Sequence, residues 1–111
     1  MNQGEDSPLM GSNPQTGTAY TLVRSDVGRV VELSNAAAIT VTIPASTLVA
    51  WHVGSEIELY QQGAGQVSVA AGAGVTLRSS GTKVKTAAQF AVVRLRMRVT
   101  DEWVLSGDAV V

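Results

Sequence analysis

The sequence predicts an all-β fold, a compact antiparallel β-sandwich or a small barrel or meander with an extended N-terminal arm, and three observations point there. Val93, Leu95, Met97 and Val99 alternate with Arg94, Arg96 and Arg98, the period of two of a half-buried strand. Glycines at 54, 63, 72 and 81 punctuate the middle of the chain and frame short alternating runs. The 111 residues are 45% hydrophobic with only one Phe, two Tyr and two Trp, so the core is built from Val, Leu, Ile and Ala. Such side chains fill a flat layer between sheets. The length suits one domain that buries roughly two-thirds of its unfolded surface.

Residues 1–17 hold two prolines and three glycines without periodicity, the composition of an extended arm. Pro8, Leu9, Met10 and Pro14 are its candidate contacts with a partner. The β domain is expected over 18–111. Thr18 to Val23 is β-prone and closes at Ser25-Asp26-Val27-Gly28, where Asp can accept backbone amides and Gly28 can adopt a positive φ. Arg29 to Leu33 is a second strand; Ile39 to Ile43 alternates until Pro44 ends it.

Residues 45 to 54 make the longest internal connection, and Leu48, Val49, Trp51 and Val53 are available to plug an open end of the sheet. Glu56 to Tyr60, Gln66 to Val69 and Val75 to Arg78 read as a meander between glycine turns. Thr82 to Lys85 adds a short strand. The strand ending at Val99 turns at Thr100-Asp101, and Trp103 and Leu105 resume the inward phase while Glu102 joins the Arg side.

Chemistry is sparse. His52 is the single histidine, and it lies in a loop with no carboxylate nearby in sequence, a packing or hydrogen-bonding residue rather than a base. No serine occupies a Gly-x-Ser-x-Gly elbow. Asp26, Asp101 and Asp108 sit at turns or strand ends, where a short carboxylate caps amides. Gly63-Ala64-Gly65 lacks the Lys-Ser/Thr pair and helix of a phosphate loop, and the Gly-x-Gly pairs lack the Asp of calcium-binding repeats. Glu56 and Glu58 are same-face neighbours, as a glycosidase pair would be, but both lie mid-strand opposite arginines. The expectation is no enzyme, no cofactor and no metal.

Charge narrows the partners. Eight basic and nine acidic side chains leave a formal charge of −1, which gives no field for nucleic acid or an anionic membrane. No apolar run approaches the ~20 residues of a membrane span, and the first residues lack a signal-peptide pattern. With no cysteine, disulfides and thiolate chemistry are absent. Arg94, Arg96 and Arg98 repeat about every 7 Å along one strand face, from a rise of ~3.4 Å per residue. No aromatic side chain interleaves them as a nucleic-acid groove requires. They are expected to pair with Glu56, Glu58 and Glu102, within the chain or across a subunit boundary.

Several stretches together resemble a small β domain of tailed-bacteriophage virion proteins, found in tail fibres, spikes and capsid-surface proteins. They are Tyr20-Thr21-Leu22-Val23 through Ser25-Asp26-Val27-Gly28-Arg29-Val30-Val31, Ile39-Thr40-Val41-Thr42-Ile43-Pro44, Val53-Gly54 with Ile57-Glu58-Leu59, Gly63-Ala64-Gly65-Gln66-Val67-Ser68-Val69, Gly74-Val75-Thr76-Leu77, and Asp101-Glu102-Trp103. The resemblance covers roughly Thr18 to Asp108 and leaves out the arm. It implies a non-enzymatic virion protein made in the host cytoplasm, and Trp103 as a core position. An arm beside one compact domain suits a capsid decoration, or cement, protein at the capsid surface, a homotrimer whose arm lies on the major capsid protein. The alternative is a receptor-binding or structural module of a tail fibre or spike, reading glycans or protein through loop aromatics such as Trp51 and Tyr60.

Overall fold

The structure is a computed structural model and describes residues 11–111. Its strands are β1 (Ser12–Gln15), β2 (Ala19–Thr21), β3 (Val30–Leu33), β4 (Ile39–Ile43), β5 (Glu56–Gln61), β6 (Val67–Ala71), β7 (Thr76–Ser79), β8 (Lys85–Thr86), β9 (Val92–Val99), β10 (Glu102–Gly107) and β11 (Ala109–Val110). They form a six-stranded sheet in the order β1-β3-β5-β9-β10-β7 and a five-stranded sheet in the order β11-β8-β6-β4-β2. The protein is mostly β, a sandwich-like pair of mixed sheets.

The antiparallel arrangement and the meander are corrected here. β1 with β3, β3 with β5, β2 with β4, β4 with β6 and β7 with β10 all pair in parallel. From β1 to β8 each connection crosses to the other sheet instead of reversing beside its own strand. Neighbours among β1 to β6 in one sheet are therefore next but one in sequence and run the same way. β1–β2, β3–β4 and β5–β6 stack as successive flattened coils. Antiparallel pairing enters with β9, which lies against β5 and turns into β10.

The coils touch where they turn. Ser34 N donates to Gln15 O at 3.0 Å and Gln62 N to Leu33 O at 2.8 Å, so the three turns continue the ladder of the larger sheet. Asn35 ties the stack: its Nδ2 donates to Thr16 O at 2.7 Å, and its own carbonyl accepts from Gly65 N at 2.8 Å. A Cβ on Gly65 would lie 1.9 Å from Ala37 O, and one on Gly72 would lie 2.6 Å from Ile43 O. These glycines are needed because backbone lies against backbone. Gly54 and Gly81 instead have positive φ, +92° and +69°. The regular spacing of glycines thus combines two unrelated demands.

Between the sheets, Val31, Leu33, Ile57, Leu59, Val93, Leu95, Met97 and Leu105 face Ile39, Val41, Ile43, Val67 and Val69. Trp103 is fully buried and meets Trp51 edge to face, ring centroids 5.1 Å apart. Of the loop expected to plug an end of the sheet, Trp51 is buried and Val49 packs on the core, whereas Leu48 and Val53 are 79% and 60% exposed. Trp51 is fixed there by donating from Nε1 to Pro44 O at 2.9 Å.

The stretch read as the arm enters the described residues at Gly11, and its Ser12–Gln15 forms the outermost strand of the larger sheet. Asn13 Nδ2 donates to the buried Asp26 Oδ1 at 2.9 Å. A cut at residue 17 would remove that strand and its bond. Pro8, Leu9 and Met10 lie outside the described residues.

Candidate functional site

The two outer faces differ in chemistry. On the smaller sheet, Ala19, Thr21, Thr40, Thr42, Ser68 and Ala70 follow one another in register, with Lys85 beyond Ser68. On the larger sheet the outward positions of β5, β9, β10 and β7 carry glutamates and arginines. The alternation of β9 sends Val93, Leu95 and Met97 into the core and leaves Arg94, Arg96 and Arg98 exposed. The glutamates and arginines expected to pair therefore converge on this second face.

Register decides which of them meet. Glu58 is opposite Arg94, and the two approach to 3.5 Å. Glu102, across the hairpin turn from Val99, takes both Arg98 at 3.1 Å and Arg78 at 3.6 Å. The hydrogen bond and charge of Arg98, with Arg78 adding to them, hold the Glu102 carboxyl below the usual glutamate range. It is ionised at neutral pH, the reverse of what a general acid needs. Glu56 lies opposite Arg96 without closing an ion pair. Arg78 was missed in the sequence because only the parallel pairing of β7 with β10 brings it here, and no local pattern encodes that pairing.

At one end of this face the turns Val27–Gly28 and Gly54–Ser55 flank a shallow groove of about 380 Å³, with Ile57 beneath and Glu56, Glu58 and Arg94 along its side. Pro14 is exposed on β1, opposite Glu32 in register. His52 is exposed in the loop that also carries Leu48.

Two of the three turn carboxylates, Asp26 and Asp101, are occupied by the fold, whereas Asp108 is exposed and its side chain caps no amide among the described residues. Asp26 Oδ2 accepts from Tyr20 Oη at 2.7 Å and from Val23 N at 3.0 Å. Burial first, and then the Asp26 carboxylate, push the Tyr20 hydroxyl well above the usual tyrosine range. Asp101 Oδ1 accepts from Ser46 N at 2.7 Å and Ser46 Oγ at 2.8 Å, docking the β9–β10 turn on the loop after β4. Asp101 has φ +60°, a conformation that Asp tolerates better than most side chains. A second buried polar pair, Gln61 and Thr86, links the sheets by a hydrogen bond from Thr86 Oγ1 to Gln61 Oε1.

Phe90 was overlooked from the sequence. It is 62% exposed with φ +74°, held by Phe90 N donating to Gln61 O at 2.7 Å. A bulky residue in the left-handed region is uncommon, and the sequence signal was only that this is the single Phe, in an Ala/Gln stretch. Trp51, named as an aromatic for ligand contact, is instead buried. Comparison with protein-family models and with curated proteins finds no match for this chain.

Proposed function

We propose that this chain is a non-enzymatic structural protein of a tailed-bacteriophage virion, a capsid decoration or cement protein. On this reading it forms a homo-oligomer, a trimer, on the head surface and grips the major capsid protein through its N-terminal arm. The observation that carries the reading is where the chain enters the fold. Gly11 leads into the outermost strand of the larger sheet, with Val30 N donating to Gly11 O at 3.2 Å, so Gly11 itself lies at a sheet edge. Two mixed sheets whose outer edges are unpaired among the described residues also gain from association, which covers backbone groups that would otherwise recruit strands indiscriminately.

The test uses a deletion of residues 1–10, which spares β1 and the Asn13–Asp26 bond. The shortened chain keeps its β circular-dichroism spectrum and loses sedimentation with purified capsids. Binding that survives the deletion would sink the arm's role. A second reading, a receptor-binding module of a tail fibre or spike, is favoured by Phe90, an apolar side chain held out in solvent. It requires purified protein to adsorb to host cells, and Phe90→Ala to abolish that adsorption.

A further inference from the structure

Arg96 differs from the arginines around it. Arg94 meets Glu58, and Arg78 and Arg98 both meet Glu102, whereas Arg96 makes no ion pair among the described residues. Neither does Glu56, its opposite number in the register of β5 and β9. The adjoining register pair, Glu58 with Arg94, does close. The same two strands satisfy one cross-strand pair and leave the next open, with both side chains exposed.

Their surroundings are suited to contact. Glu56 lies at the side of the groove of about 380 Å³, between the turns Val27–Gly28 and Gly54–Ser55. On the other side of Arg96 in register is Val104, half-buried, so the cation stands beside an apolar spot rather than a fourth carboxylate. An open anion at a groove and an open cation next to it make a surface that is complementary to itself.

We propose that a second copy of this chain docks on this face, Arg96 of one copy entering the groove of the other to meet its Glu56. Charge selects this occupant. A polyanion would meet Glu56 and Glu58 and a polycation would meet the arginines, while another copy of the same face can set each sign against its opposite. The proposal rests on the homo-oligomer reading given above only for the existence of an oligomer; it names the surface and departs from the trimer, since a face docked on itself closes as a two-fold pair.

The experiment is sedimentation equilibrium of the full chain across a concentration series, for wild type, Arg96→Glu, Glu56→Arg and the double exchange. Wild type assembles. Each single exchange sets like charges against each other and raises the dissociation constant about tenfold or more, and the double exchange returns it toward wild type. Unchanged circular dichroism in each variant shows that the loss is of association and not of folding. A wild-type monomer at every concentration, single variants with wild-type mass, or a double exchange that recovers nothing would each overturn the proposal. Capsid binding reads separately: a chain that binds capsids as a monomer keeps the virion reading and loses this one.

Discussion

In the stack formed by β1 to β6, backbone lies on backbone, and the turns come so close that Gly65 and Gly72 have no room for a Cβ. In the hairpin β9–β10, side chain lies on side chain: Met97 and Leu105 are buried beside Trp103, whose ring meets Trp51. Both regions serve one core, yet the first depends on atoms that are missing and the second on atoms that are present. Truncation should therefore damage the hairpin and addition should damage the stack.

The largest effect is expected at Trp103. Trp103→Ala removes the largest fully buried side chain and should lower unfolding free energy by about 3–5 kcal/mol in urea titration. Trp103→Phe keeps most of the volume and removes an indole N–H that has no hydrogen-bond partner in the described structure. It should cost less than about 1.5 kcal/mol, since a buried donor without an acceptor is itself unfavourable. Equal losses in the two variants would mean that a phenyl ring recovers nothing at this position and that buried aromatic bulk alone does not hold the hairpin.

Next comes the stack. Gly65→Ala adds one methyl group against Ala37 O, a backbone atom that cannot swing aside, and should cost about 3 kcal/mol. Gly74→Ala is the matched control. Its φ is +83° but the space is open, with Ala45 Cβ 3.9 Å away, so only the conformational penalty of about 1 kcal/mol is expected. If the two substitutions cost the same, close stacking of the turns is not what sets the coil spacing.

The same contrast explains what could be read in advance. The hairpin was legible because its signals are local: a two-residue period along Val93 to Val99, a polar turn, and a resumed phase at Trp103 and Leu105. The strand Ile39–Ile43 was legible for the same reason. Pairing partners were not, because alternation tells a strand which face to bury and nothing about its neighbour. Val31 alternates identically whether Leu59, its parallel partner in the larger sheet, or a sequence-adjacent strand lies beside it. The glycine spacing then favoured a meander, since a close-approach glycine and a positive-φ glycine look alike in sequence. On the charged face, β5 and β9 carried their glutamates and arginines in plain view, but Arg78 reached Glu102 only through the parallel β7–β10 pairing.

The smallest effect tests the edge of the stack, where polar groups replace close backbone packing. Tyr20 donates to Asp26 while Asn13 Nδ2 donates to both Tyr20 Oη and Asp26 Oδ1, which joins β1 and β2 through one carboxylate. Tyr20→Phe should cost about 2 kcal/mol at neutral pH, since the hydroxyl both donates to a carboxylate and accepts from Asn13 Nδ2. The pH dependence identifies its source. A tyrosine in the unfolded chain ionises near pH 10, while burial and Asp26 raise the folded hydroxyl above that. The folded state therefore holds the proton where the unfolded state has released it, and stability falls as pH rises past about 10, with the full contribution present below. Phenylalanine has no such proton. In urea titrations from neutral to alkaline pH, the gap between wild type and Tyr20→Phe should be constant up to about pH 10 and narrow above it. A gap that stays constant through the alkaline range would assign the loss to packing and remove the carboxylate from its place as the clasp between the first two strands.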